Sequence, residues 1–112
     1  MLLDRRHIDN YYRMLNLIEK NPYYTQRKIA RELGYSLGKV NYVLESLMEK
    51  GIIKLNRFLK SNNKWGYMYV LTAKGIKEKY NITRAFLKRK MEEYDRIKKE
   101  IQEAKYSLKK YH

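Results

Sequence analysis

Gly38, Lys39, Tyr42 and Ser46 fall on one side of the segment GYSLGKVNYVLESLMEKG, residues 34–51. A glycine permits close backbone approach. A lysine supplies a compact positive charge, and a phenol both donates and accepts hydrogen bonds. Such groups suit contact with a polyanion. Lys39 can bind a phosphate or a guanine edge, and Tyr42 a phosphate or a thymine methyl. Ser36 stands just before them at a helix start, where backbone N–H groups favour anions. On the other side Val40, Leu44, Leu47 and Met48 repeat at three- and four-residue steps, with Leu37 one turn earlier. This is the stripe of an amphipathic helix, with its apolar centre between Val40 and Leu44. Asn41 lies at the edge of the polar face. A polar face alone is usually just solvated, so its surroundings must decide its meaning.

Two neighbouring segments raise its significance. Residues 54–64 carry Lys54, Arg57, Lys60 and Lys64 without an acid. The stretch TQRKIAREL brings Gln26, Arg27, Lys28 and Arg31 near the start of another helix. Phosphate contacts fix register while base edges specify, so flanking cations belong beside a reading helix. The candidate DNA contacts are Gln26, Arg27, Ser36, Gly38, Lys39, Tyr42, Ser46, Arg57, Lys60 and Lys64. Trp65 reads first as a hairpin-packing aromatic. Its alternative is a minor-groove contact from a hairpin tip.

The elements that position these residues follow from local signals. Ile8, Tyr11, Tyr12, Leu15 and Ile18 predict a helix over 7–20. NPYY breaks it, since proline disfavours helix in the residue before it. Thr25 caps a second helix, with Ile29, Ala30 and Leu33 on its apolar face, and Gly34 stops it. Ser36 caps the third, and Gly51 ends it. The period then changes. IIKLNRFL (52–59) and YMYVL (67–71) read as strands, with KSNNKWG (60–66) as the turn between them. Ile53, Leu55 and Arg57 share one strand face, and Tyr67 and Tyr69 share another. Thr72 caps a short fourth helix, AKGIKEKY, and residues 80–83 form a joint to a longer helix beyond.

Three helices followed by a hairpin give the order of a winged helix-turn-helix, in which the second helix braces the third against a major groove. The expected fold is mainly α with a β-hairpin wing, followed by a long C-terminal coiled-coil helix. Residues 1–83 form the winged-helix unit and 84–112 the dimerisation helix.

That last helix has its own pattern. Leu87, Tyr94, Ile101 and Leu108 are spaced by seven, and so are Ile97, Ala104 and Tyr111, offset by three. Lys90 takes the slot one heptad before Ile97, with Met91 beside it. An exposed apolar seam needs a partner. The simplest is the same helix of a second chain, with folding back onto its own domain as the alternative. The spacing leaves parallel and antiparallel pairing open.

Composition sets the outer bounds. The chain has 112 residues with 26 Lys plus Arg against 12 Asp plus Glu, a formal charge of +14. Such a balance favours polyanionic partners, nucleic acid ahead of anionic membrane. The 16 bases and 7 acids of 1–83 leave +9, and the 10 bases and 5 acids of the remainder leave +5. The absence of cysteine excludes disulfides and thiolate metal sites. His7 and His112 lie too far apart in sequence to suggest a ligand cluster. No apolar run reaches the roughly 20 residues of a membrane span. MLLDRRHID is too charged for a signal peptide. These features point to a cytoplasmic protein with no membrane partner, no cofactor and no enzymatic activity, since no carboxylate pair, histidine base or phosphate-cradling glycine loop is spaced for catalysis.

Beyond these local signals, NPYYTQRKIARELGYSLGKVNYVLESLMEKGIIKL, LTAKGI and TRAFLKRKMEEYDRIKKEI together resemble the small MarR-type regulators associated with exopolysaccharide gene clusters. The resemblance runs over about residues 8–108, and SLGKVNY and FLKRKMEEY are its more specific parts. It implies a dimeric, sequence-specific regulator binding double-stranded DNA, with Ser36–Lys50 as the recognition helix and Lys54–Lys64 as the wing. It also implies control of surface polysaccharide genes. Larger MarR proteins dimerise through both chain ends. Here little precedes the first helix, which places dimerisation mostly on the tail and assigns no small-molecule effector. A protein-interaction adaptor and an RNA-binding module are the competing functions.

Overall fold

A computed structural model describes residues 7–61 and 63–111. Residues 1–6, Asn62 and His112 lie outside the described residues. The chain runs α1 (Ile8–Lys20), α2 (Gln26–Leu33), α3 (Leu37–Glu49), β1 (Ile53–Ser61), β2 (Lys64–Leu71) and α4 (Ala73–Lys110). This is a winged helix-turn-helix fold with a long final helix.

Side-chain caps and left-handed stops set most helix boundaries. Thr25 Oγ1 accepts from Lys28 N at 3.1 Å, and Ser36 Oγ accepts from Lys39 N at 3.1 Å. Each satisfies an orphan donor of the first turn. Gly34 and Gly51 sit at φ 70° and 71°, a conformation that glycine adopts without a Cβ penalty. Gly51 N donates to Met48 O and Ile52 N to Leu47 O, both at 3.0 Å. That pair of bonds is a Schellman stop, which turns the chain directly into β1.

The core gathers Met14, Leu15 and Ile18 of α1, Ile29 of α2, Val40, Val43, Leu44 and Leu47 of α3, then Ile52, Ile53, Tyr69 and Ile82. The expected stripe of α3 is rotated. Val43 is buried and Leu37 is 45% exposed. With Val43 included, the apolar centre moves by about 30° at ~100° per residue. Ser46 is carried inward by that rotation.

β1 and β2 pair antiparallel from Ile53↔Leu71 to Ser61↔Lys64, with an irregularity between Leu59 and Ser61. The strands therefore run well into the stretch expected to be turn. Cross-strand neighbours hold them there. Leu59 pairs with Trp65, and the Arg57 guanidinium lies 4.6 Å from the Trp65 ring centroid. Gly66 lies beneath Phe58, where an added Cβ would stand 2.9 Å from the ring. Asn63 takes φ 61° in the turn. Trp65 is 56% exposed, so it belongs to the outer part of the wing and not to the core. Of the two tyrosines on one face of β2, Tyr69 is buried near the base and Tyr67 is exposed further out.

The fourth helix is neither short nor jointed at 80–83. It continues unbroken for 38 residues, about 57 Å at ~1.5 Å per residue. Ile82 is wholly buried in the middle of the expected joint, and this tertiary anchor outweighs the weak helix preference of Asn81 and Thr83. Tyr12 stacks on Phe86 at 4.0 Å, Lys79 bonds Glu19 at 2.6 Å, and Asp9 faces Arg89 and Lys90. These contacts fasten the first half of α4 to α1. Its start is fixed by Thr72, whose Oγ1 accepts from Gly75 N at 2.9 Å and donates toward Gly51 O and Ile52 O. A Cβ on Gly75 would stand 1.9 Å from Ile52 O. The motif LTAKGI thus has a mechanical meaning: threonine caps α4, and glycine lets it abut the chain just beyond α3.

Candidate nucleic-acid interface

Two exposed grooves link three elements. The start of α3 meets α2 in a groove lined by Arg27, Ala30, Arg31 and Leu37. The start of α2 meets the wing in another, lined in part by Tyr23, Gln26, Lys60 and Trp65. The basic residues of α2 consequently lie between the outer end of α3 and the hairpin.

Ser36, Gly38, Lys39 and Tyr42 are all exposed at the start of α3. The Ser36 hydroxyl oxygen is engaged by its cap bond, which leaves the first backbone N–H groups of α3 as the donors open at this helix start. Gly38 has nothing within 4 Å of an added Cβ. No packing among the described residues requires glycine there. The Lys39 ammonium lies 3.9 Å from the Tyr35 ring centroid. Tyr35 in turn donates its hydroxyl to Asn10 Oδ1 at 3.0 Å. Burial raises the Tyr35 phenol above its ordinary pKa, with nearby Arg13 opposing the shift. It therefore remains protonated at neutral pH and ties the α2–α3 turn to α1. Tyr42 is 58% exposed, with His7 edge-on at 6.4 Å.

Ser46 is not part of this surface. It is 9% exposed, because the rotation of the α3 stripe turns it toward the core. Gln26 is half-buried and donates to Tyr69 Oη at 3.3 Å, so its side chain fastens α2 to the hairpin. Arg27, Arg57, Lys60 and Lys64 are exposed. The sequence pattern missed Leu37, which it assigned to the apolar stripe. Leu37 occupies the first helical turn, where no neighbouring described element covers it. Its proximity to Arg27 and Arg31 could be inferred only from the crossing of α2 and α3.

Most of the described cations have no carboxylate within salt-bridge distance, and the paired ones lie mainly where α4 meets α1. Lys79, Arg89 and Lys90 face carboxylates of α1, and Lys28 faces Glu32 along its own helix. Among the described residues, Arg27, Lys39, Arg57, Lys60 and Lys64 have no carboxylate partner. Lys39 and Arg57 instead lie over aromatic rings, which position a cation without cancelling its charge. The candidate surface therefore keeps its positive field. The described residues contain no cluster of His, Cys, Asp and Glu able to hold a metal ion. No described helix is long and apolar enough to cross a membrane.

This arrangement defines a winged-helix protein, and similarity to known proteins points to the same class. Residues 12–54 match the family model described as winged helix-turn-helix DNA-binding. No curated protein matches the chain. Among solved structures, a mutant form of Lactococcus lactis ZitR is similar at TM-score 0.58 and 21% identity, with 80% of this chain and 58% of that one covered. Staphylococcus aureus MarR in complex with salicylate and kanamycin gives TM-score 0.52 and 20% identity, over 76% and 55%. CouR, a transcriptional repressor bound to a 23-mer DNA duplex, gives 0.55 and 22%, over 74% and 57%. The chain thus spans less than two thirds of the length of each. What these similarities share with the chain is its fold.

Proposed function

We propose that this protein is a sequence-specific, double-stranded-DNA-binding transcriptional regulator of MarR type, and that it acts as a homodimer through α4. The observation that supports this most is the unpaired positive surface. The exposed start of α3, with a glycine that no described neighbour requires, stands beside cations of α2 and the wing that no described acid neutralises. Lys39 and Tyr42 contact base edges or phosphates, Arg27 and the wing cations fix register, and Leu37 offers an apolar contact to a thymine methyl. CouR is described as a repressor on a DNA duplex, and its similar fold supports the same mode of binding. The sequence resemblance points to surface polysaccharide genes as targets and to the cytoplasm as the place of action. The unit spanning 1–83 reads DNA, and 84–112 pairs the two copies so that their α3 helices meet half-sites about 34–36 Å apart.

Selection of bound sequences from random duplexes tests this directly, with a palindromic consensus as the expected result. Against the selected site, Lys39→Ala and Tyr42→Ala should each weaken binding by about 1–3 kcal/mol while leaving the thermal unfolding unchanged. A gel-shift titration with unaltered affinity in both variants would remove α3 as the reading element. A dimer making about ten phosphate contacts should show a log–log salt slope near −9. A flat slope, or stronger competition by structured RNA than by duplex DNA, would overturn the proposal.

A further inference from the structure

We infer that the tails of two copies pair in parallel and in register, as a two-stranded zipper. This inference rests on the homodimer reading above and gives its geometry. Because α4 is one unbroken helix, its heptad phase can be counted along the whole length. Counting sevens back from Leu87 reaches Tyr80, and back from Lys90 passes the half-buried Thr83 to reach Ile76. Ile76 and Tyr80 are 65% and 63% exposed. The exposed seam therefore begins near the base of α4, beside the globular unit. From Tyr94 onward every described residue is exposed.

The flanking charges select the orientation. With Tyr94 and Ile101 at the first core position and Ile97 and Ala104 at the second, Glu93 and Glu100 line one flank of the seam. Lys98 and Lys105 line the other. In a parallel pair the first flank of one helix meets the second flank of its partner five residues on. Glu93 then faces Lys98 across the seam, and Glu100 faces Lys105. In an antiparallel pair each flank meets its own kind. At the offsets that bring these four residues together, glutamates then oppose glutamates and lysines oppose lysines. The only cation in the seam itself is Lys90, which would face its own copy in the parallel arrangement. It is drawn aside, lying 3.2 Å from Glu93 and 3.9 Å from Asp9, so its charge is already balanced within one chain.

Geometry favours the same choice. The seam from Ile76 to Tyr111 is about 54 Å long at ~1.5 Å per residue. Antiparallel pairing would set the globular units at opposite ends of that length. Parallel pairing sets both at one end, near a common stretch of ligand.

The absence of native cysteine provides a direct test. Leu87→Cys and Leu108→Cys are prepared as separate full-length variants and equilibrated in a glutathione redox buffer, alone and mixed, while sedimentation reports the mass of the reduced protein. Each variant alone should form a covalent dimer, since identical seam residues face each other. A reduced dimer that cross-links only in the mixture, or not at all, would overturn parallel pairing and leave the homodimer standing. A monomer would overturn the homodimer itself. As a second readout, Lys105→Glu should weaken self-association about threefold or more by setting a like charge against Glu100 in both symmetric pairs. Adding Glu100→Lys, which leaves the Glu93 partner of Lys90 in place, should restore it. Failure of that restoration in a folded dimer would equally sink the parallel assignment.

Discussion

The two halves of α4 share one heptad phase but have opposite surroundings. Up to Lys90 the helix is capped by Thr72, pressed at Gly75 against the carbonyl of Ile52, anchored by Ile82 and stacked on α1 through Phe86. From Tyr94 to Tyr111 every residue is exposed, uncovered by any other described element. A periodic apolar pattern therefore establishes that a helix has a sticky face, while tertiary neighbours decide which face is already taken. In the first half, α1 and the core take the side carrying Ile82 and Phe86 and leave Ile76 and Tyr80 outside. In the second half the heptad face has no competitor among the described residues.

The contrast can be broken most forcefully in the first half. Ile82→Ala should cost about 2–5 kcal/mol, the range for emptying a buried aliphatic site, measured by denaturant unfolding at fixed protein concentration. Ile101→Ala should instead show its effect only through the concentration dependence of the transition. If Ile101→Ala were as costly at high dilution as Ile82→Ala, the second half would have to be covered by its own chain. Gly75→Ala comes next, at about 1–3 kcal/mol of overpacking, because the backbone carbonyl of Ile52 cannot rotate aside as a side chain can. Thr72→Val removes the cap oxygen and should cost about 1 kcal/mol, visible as a lower unfolding midpoint with an unchanged slope. The smallest effect belongs to Lys79→Met. Its bond to Glu19 is short, but the carboxylate side is half exposed, so the loss should stay under about 1 kcal/mol and shrink further in salt.

Features written in adjacent residues were legible from the sequence. The caps at Thr25, Ser36 and Thr72 and the stops at Gly34 and Gly51 each depend on a few consecutive residues, and the structure places them as expected. Features set by partners distant in sequence were not. The hairpin is longer than its turn-forming composition suggests, because Trp65 and Phe58 find neighbours across the strands. The helix continues through 80–83 because Ile82 enters a core assembled from all three preceding helices and the hairpin. The same cause exchanged two site residues. Ser46 is turned inward and Leu37 outward because a helical wheel records angle but not whether another element covers that angle. Gln26 shows a third limit. Its position at the start of α2 is written in the adjacent sequence, but its hydrogen bond to Tyr69 depends on a strand 43 residues away.

The unbroken α4 has a consequence for how a two-headed reader would measure its ligand. Each head is bolted through Thr72 and Gly75 to a rod with no swivel, so the proposed dimer works as a fixed-gauge caliper. A target lengthened by one base pair between its arms rotates one arm by about 34° around the duplex axis. The rod offers no flexible coupling to follow that rotation, so spacing as well as lettering would select the target.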